Sequence, residues 1–595
     1  MTETVYTAVT FAPVQGFIQK SRKLRDLYGS SFILSYLAKA VCEAAREYFG
    51  VDKQDLSPER DPIVSPALIN LTQGTPNQII IAGDKAFPEK EAKKAFEKAW
   101  RKVTEACRKH IQEKVLPDYK YNWQRHWNAW TNYAWEFFHI AGKPGQTITD
   151  VRQKLNQTKY QRSWVGINWV GESSTLSGGD AVAWYGMANA NPKQAKQGEI
   201  DDNIRDFYSK LSQNLSNSII DENEQLSIPE LIKRLVTLRD IAEELNLNEE
   251  ELPNIEIPLS FKDINRKKDH LEENRYTGWF QGDGDKIGDY LQSLVDAGTS
   301  EETALHNFSA AMMEWGKYLK FNLPNSQSKS DDATKYLVPS DIHEEVKNRY
   351  IKPPEQKVFY KEGRIIYAGG DDFLGVLYRN YPESKLTALE CLEWFYKFPE
   401  NWEKHNQKIT VSIGFVWAAP GVPQRDVLQH CHEAEKSAKS NGRDRLAIRI
   451  LFNSGTHIEW VCPWWWLKSK KDQECGSLLT SYRDKEGNTK SNQTTPNWTH
   501  FYNDVATLES HHAFDDNHEI ALALFEIYFG INNSSILKNP QKWWNNPQGS
   551  QGTQHQGIFG EKTPEKEQKI NQLINDWVIN LAKVGFHLHS TNNEQ

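Results

Sequence analysis

Three aspartates carry the chemistry this sequence is equipped to do. Asp371 and Asp372 follow Gly369 and Gly370 between two short β runs, Arg364–Ala368 and Phe373–Tyr378, which places them at a hairpin tip. Asp283 closes another apolar run, Tyr276–Gly282, and is followed by Gly284 and Asp285. Glycines at such a tip permit the tight turn and let a triphosphate approach the backbone closely, so Gly284, Gly369 and Gly370 are nucleotide-binding candidates. If the strand ending at Asp283 lies beside the hairpin, acids from distant positions converge. A cluster of that kind repels itself without cations. Its expected occupants are two hard divalent ions, Mg²⁺ or Mn²⁺, held by Asp283, Asp371 and Asp372. Two such ions activate an attacking hydroxyl and stabilise a leaving pyrophosphate, which is nucleotidyl transfer. Asp285 is expected behind these ligands or as the cap of the next helix. Lys439, near the end of a helical stretch Arg425–Ser440, is expected beside the triphosphate. Arg443 and Arg445 are weaker phosphate candidates, since solvated cations at a helix end explain them equally well. Taken alone, Gly-Gly-Asp-Asp also fits an ordinary turn, and Asp-Gly-Asp part of a calcium loop; the surrounding topology favours the catalytic reading.

The elements that must position these residues are legible over 276–452. The order β-α-α-β-β-α-β-α-β predicts a ferredoxin-like palm with the hairpin at its centre. A polar stretch, Asn325–Thr334, is expected to be a loop. Ahead of the palm, a strand at Val5–Phe11, a turn at Pro13–Gly16 and a helix from Phe17 predict a second sheet-containing unit. Residues 191–258 are acidic and polar, with a helix start at Ser227-Ile228-Pro229-Glu230. Beyond 453 the chain is rich in Trp and then helical, with Thr563-Pro564 opening the last helix. The expected fold is α+β: two ferredoxin-like palm domains with a helical linker and a C-terminal helical domain. The expected boundaries are 1–190, a non-catalytic first palm; 191–270, the linker; 271–452, the catalytic palm; and 453–595, the Trp-rich helical domain.

A chain of 595 residues is too long for one core. Its net charge of −8 excludes nucleic-acid binding by overall charge and leaves only local patches. Two such patches are Lys20, Arg22, Lys23 and Arg25, and Lys468, Lys470 and Lys471 after Trp464-Trp465-Trp466; solvated faces explain both as well. The six cysteines form no Cys-x-x-Cys pair, so neither zinc nor a disulfide framework is expected, and the thiols fit a reducing cytoplasm. No leader segment and no membrane span are expected. His511-His512, with His518 beyond, imitate a metal site, but adjacent His side chains diverge and no partner pair stands at ligand spacing.

Taken together, Gly282-Asp283-Gly284-Asp285-Lys286-Ile287-Gly288, Tyr367 to Phe373, and Val411-Ser412-Ile413-Gly414 with Ala438 to Arg445 resemble the palm of GGDEF-type cyclases. They resemble more closely the large polymerase-like subunit of type III CRISPR effector complexes, in its Cmr (III-B) branch. Pro13-Val14-Gln15-Gly16-Phe17-Ile18, Ser21–Leu27 and Gly29–Leu34 match the opening of that family's first palm, as do Thr75–Gln78 and Leu231–Leu235. The resemblance runs from residue 5 to about 450. It implies an enzyme that joins ATP into cyclic oligoadenylate messengers when the complex binds target RNA. Its partners would be other Cmr-type subunits, crRNA and target RNA, with no membrane. It also implies that the first palm holds an acceptor nucleotide, with Gly16, Ser21 and Ser30 as contacts. Two departures stand out. Relatives often carry an HD nuclease domain, but no His-Asp dipeptide occurs here, so that DNase activity is expected to be absent. Where relatives have a Cys-x-x-Cys zinc knuckle, this chain reads Ser174 to Gly178, so no zinc is expected. Two other readings compete: a diguanylate-cyclase-like enzyme, whose tip normally carries Glu where Asp372 stands, and a catalytically silent scaffold.

Overall fold

The computed structural model of the chain describes residues 3–51, 60–161, 166–169, 171–188, 197–215, 219–245, 247, 275–319, 323, 325–326, 360–361, 363–379, 385–467, 498–515, 517–545 and 556–590. The lysines at 468, 470 and 471, and most of the polar stretch 325–334, lie outside them. Two compact units form. The first comprises Met1–Ile264, Leu291–Lys317 and Ile366–Gly370; the second comprises Asn265–Tyr290, Tyr318–Ile365 and Asp371–Gln595.

The first unit is built on an antiparallel sheet of β1 (Val5–Ala12), β2 (Ile63–Ser65), β3 (Ile79–Gly83) and β4 (Glu136–Ala141), in the order β2-β3-β1-β4. Side chains alternate across a strand. Val9 and Phe11 therefore enter one core with helices Leu24–Tyr48, Glu89–Lys109 and Ile228–Leu235, while Ala8 enters a smaller core on the other face with Val151, Leu155 and Leu305. The Glu301 carboxylate accepts from the backbone N–H groups of Ile148 and Thr149, so it caps helix Ile148–Tyr160. The expected helix from Phe17 is two pieces, Gln15–Gln19 and Leu24–Tyr48. The second starts afresh because Asp26 accepts from the backbone N–H groups of Arg22 and Lys23.

The segment expected to be a linker belongs to this same core. A helix starts at Ser227 as expected, the Ser227 backbone N–H donating to the Glu230 carboxylate at 2.7 Å, and every residue of helix Ile228–Leu235 is buried. Arg234 binds Asp26, and its Nη1 lies 2.9 Å from Glu224, with Arg234 and Asp26 fully buried. A helix whose charged residues find partners inside cannot act as a free connector.

The second unit holds a six-stranded sheet in the order β12-β11-β10-β5-β9-β8: β5 (Thr277–Gly284), β8 (Arg364–Ala368), β9 (Phe373–Leu377), β10 (Val411–Ala418), β11 (Arg445–Leu451) and β12 (His457–Pro463). A two-residue ribbon, β6 (Asn325–Ser326) with β7 (Tyr360–Lys361), stands apart. β5 pairs antiparallel with both β9 and β10, and β10 runs parallel to β11. The strand that ends near Asp283 therefore does lie beside the hairpin. β12 extends the sheet past the expected end at 452, antiparallel to β11. Phe280, Phe373, Trp394, Phe395 and Phe398 fill one face.

Three consecutive tryptophans tie the C-terminal segments to this sheet by their indole N–H groups. Trp464 donates to the Val411 carbonyl, Trp465 to the Gln556 carbonyl and Trp466 to Asn533. Buried aromatics of this kind contribute area and direction together. Helix Glu519–Lys538 alone among the described residues is long and apolar enough to cross a membrane by length and composition, which the sequence had not suggested. Half of it is buried inside the protein, and Phe525 and Phe529 lie against Trp466 and Trp498. It is a core helix of this unit.

Candidate active site

Asp283 stands on β5 opposite Ser412 of β10, and Asp371 follows the hairpin glycines, Gly370 taking φ +119°. The backbone N–H of Gly284 donates to the Asp371 carbonyl at 3.2 Å, which locks the strand end to the tip. The two carboxyls are in hydrogen-bond contact. Burial first, then the charge of Asp283, hold the Asp371 carboxyl well above the usual carboxylate range.

Helix Gln424–Ser440 brings the cation. At Gly414 on β10 an added Cβ would lie 2.3 Å from the Glu435 nitrogen, so only glycine lets the helix come this close. One turn after Glu435, Lys439 reaches Asp283 with its ammonium, while its Nζ is 2.9 Å from Glu435. Burial opposes the Lys439 charge, but Asp283 and Glu435 outweigh it and raise its pKa.

Asp285 is buried among donors: the Ser412 hydroxyl at 2.8 Å, the Thr410 hydroxyl at 2.9 Å and the Asp444 backbone N–H at 3.0 Å. Burial raises its pKa, while those three bonds favour the anion. It fastens β5 to the loop after helix Gln424–Ser440, which is the supporting role expected of it.

The sequence candidates are therefore partly assembled. Asp283, Asp371 and Lys439 meet, with Gly284 between them. Asp372 is exposed, and its charge adds to the upward push on Asp371. Among the described residues, no three His, Cys, Asp or Glu side chains stand close enough to hold an ion as they are placed. Lys439 is the positive charge set on Asp283. The donors at hand are hard carboxylate oxygens around a bound positive charge, a set that fits Mg²⁺ or Mn²⁺. Arg445 is no phosphate ligand, because it is fully buried and bonded to backbone carbonyls. Arg443 is partly exposed, 3.9 Å from Asp285.

In the first unit Gly16 is exposed and Ser21 is buried, its hydroxyl without a hydrogen-bond partner. Ser30 does not suit a ligand contact: it is fully buried and donates to the Asp26 carbonyl one turn back at 2.6 Å. The basic patch of the first helix is also committed internally. Lys20 pairs with Asp180, Lys23 with Glu224, and Arg25 is buried against Thr237. Glu435 was not anticipated, although its spacing of four from Lys439 is an ion-pair signal on a helix.

A sheet of this order, with acids at a central hairpin and on the adjacent strand end, defines a palm of the polymerase and nucleotide-cyclase type. Residues 276–447 match the family model described as Cas10/Cmr2, second palm domain, and residues 6–114 match CRISPR-associated protein Cmr2, N-terminal. Both models describe Cas10/Cmr2 proteins, the family that the motifs resemble. No curated protein matches it. Among solved structures it is similar to a type III-B Cmr-beta chain in the apo state, at 13% identity and TM-score 0.50, covering 99% of this chain and 82% of that one. It also matches a Csm1-Csm4 cassette in complex with cA4, at 11% identity and TM-score 0.41, over 99% and 70% of the two chains. A cassette in complex with cA3 matches at 13% and 0.33, over 75% of this chain; the chain spans 54% of the length of that relative. The likeness to the Cmr-beta chain is of fold.

Proposed function

We propose that this chain is the nucleotidyltransferase subunit of a type III CRISPR effector in the cytoplasm, condensing ATP into cyclic oligoadenylates when the complex binds target RNA. The observation that carries the reading is the contact of Asp283, Asp371 and Lys439 at the tip of a Cas10/Cmr2 palm. Two acids in contact, one of them buried and under a lysine, are a poor structural device and a good cation site. Asp283 and Asp371, joined by Asp372, would hold two divalent cations, which supply charge neutralisation and hydroxyl activation for nucleotidyl transfer. Lys439, freed from Asp283, would take the charge of the triphosphate, and Gly284, Gly369 and Gly370 would let the phosphates approach the backbone. The other subunits, crRNA and target RNA complete the complex in this reading, and Gly16 and Ser21 remain candidates for holding the acceptor nucleotide.

The test is mass spectrometry of products from the complex with target RNA, Mg²⁺ and either labelled ATP or labelled GTP. Adenylate rings are expected, lost by about a thousandfold in Asp283→Ala and Asp371→Ala. A guanylate product would favour the cyclase reading. No product under any condition, with the alanine variants indistinguishable from wild type, would leave a scaffold.

A further inference from the structure

Arg445, the first residue of β11, is fully buried, yet among the described residues its guanidinium hydrogen-bonds backbone carbonyls and no carboxylate. Nε donates to the Arg443 carbonyl, Nη1 to Ile558 and Nη2 to Gly557, each at 2.8 Å. Burial lowers its pKa to about 10. A cation buried against carbonyls alone is costly, so the arrangement calls for a reason beyond stability.

The backbone it grips is unusual. Gly442, Arg443 and Asp444 run consecutively at φ +124°, +63° and +51°. Two non-glycine residues in the left-handed region are strained and persist only where the surroundings over-determine them. Here the surroundings come from far along the chain. Asn545 reaches the Gly442 carbonyl at 3.4 Å. An added Cβ on Gly560, itself at φ +78°, would lie 2.1 Å from the Asn441 oxygen, and one on Gly442 would lie 2.5 Å from the Gly560 Cα. The two glycines meet backbone to backbone. Segment 556–560 is anchored in turn by Trp465 on the Gln556 carbonyl and by Asn545, which binds Gly557 N–H and the Gly560 carbonyl at 2.8 Å each. The held turn directly follows the helix that carries Lys439, and the Gly442 N–H donates to the Lys439 carbonyl.

We infer that segment 556–560 is a positioning element for the nucleotide site: through Arg445 and the Gly442–Gly560 contact it fixes the turn that aims Lys439 and Arg443, and so sets affinity for the nucleoside triphosphate. Arg445 and Gly560 are positioning residues. The inference rests on the nucleotidyltransferase reading for its ligand, but the geometry it invokes is measurable without turnover.

The experiment compares full-length wild type, Gly560→Ala, Arg445→Met and Arg445→Lys, with Ile531→Ala, an exposed residue of the same C-terminal region, as control. Amide hydrogen exchange follows residues 439–446 and β10, with and without ATP and Mg²⁺; KM for ATP and kcat are measured in the RNA-activated complex. Gly560→Ala and Arg445→Met are expected to speed exchange in 439–446 while β10 stays protected. KM for ATP should rise about tenfold or more, with kcat changed by less than about threefold. Arg445→Lys should fall between them and wild type, and Ile531→Ala should match wild type. Unchanged exchange and KM in folded variants would overturn the inference. So would loss of β10 protection in step with the turn, since the role would then be general stability. If wild type makes no product, the functional reading fails on its own. Exchange then decides: ATP must protect 439–446 in wild type and not in Gly560→Ala, and absence of that difference rejects the positioning role.

Discussion

Replacing Lys439 by Met removes the only positive charge the structure sets directly on Asp283, among the described residues, and leaves Glu435 and the Asp283–Asp371 pair facing one another. The Lys439 and Asp283 side chains are 26% and 28% exposed and Glu435 is 7% exposed, so the ion pairs lie between the surface and buried cases. Exposed pairs contribute about 0–1 kcal/mol, and breaking buried ones costs about 3–5 kcal/mol. Discounting for solvent at two of the three groups gives a loss of about 1–3 kcal/mol for metal-free Lys439→Met. The pH dependence follows from the sign of the shift. The pKa of Lys439 is raised on folding, so its contribution is complete below the ordinary lysine range and fades only as pH rises through the folded value. Between about pH 6 and 8 the loss should therefore be flat. A divalent cation supplies the missing charge, so Mg²⁺ or Mn²⁺ should stabilise the variant more than wild type and narrow the gap. Denaturant midpoints for both proteins, with chelator and with excess Mg²⁺, read this directly. Equal stability in chelator, or a gap that Mg²⁺ leaves unchanged, would refute the claim that a positive charge is needed between Asp283 and Glu435.

In the first unit, Arg234→Met leaves fully buried Asp26 uncompensated and should cost about 3–5 kcal/mol in chemical denaturation; pairing it with Asp26→Leu should recover most of that loss, and failure to do so would mean the charge is not the cause. Burial would raise the Asp26 and Glu224 carboxyls, but Arg234 more than offsets it and holds both below their ordinary values. Their stabilisation is therefore present above about pH 4 and is lost as pH falls through the depressed values, so the thermal midpoint should drop on acidification in wild type and drop less in the doubly substituted chain. In the second unit, Trp466 is stacked on Trp577 at 4.9 Å and 4° between planes, and is buried to 1% exposure; Trp466→Ala should cost about 3–5 kcal/mol, and a loss under about 1 kcal/mol would show that the stack does not hold the C-terminal helices.

What the sequence revealed and what it hid divide along a physical line. The palm was legible because its signals are local. Short apolar runs marked β5, β8, β9 and β10, and a Gly-Gly-Asp-Asp tip with a strand-terminal Asp283 marked where their ends would meet. The helix start at Ser227 to Glu230 was legible for the same reason. Its destination was not, because polar residues at 191–258 looked solvated until Arg234 found Asp26, 208 positions earlier in the chain. Ser30 failed as a ligand contact for a related cause: a hydroxyl in a helix has a backbone carbonyl one turn back to bond, and burial leaves it no alternative.

The site shows the same division more sharply. Residue types named the chemistry, yet types could not say which of two cations on one short stretch would face the carboxylates. Lys439 and Arg445 are six residues apart and were both phosphate candidates. The helix ends between them, and the left-handed turn at 442–444 sends the first toward Asp283 and the second into the interior, to carbonyls at 557 and 558. Gly560, more than a hundred positions downstream, is pressed against that turn. A one-dimensional pattern has no term for such a contact, because neither glycine is unusual until the other is placed. If evolution keeps a palm's acids for chemistry and its core for folding, the Gly442–Gly560 contact belongs to neither class. An alanine there adds one methyl group, touches no acid and empties no core, so any change it makes in nucleotide affinity must travel through the backbone that aims Lys439.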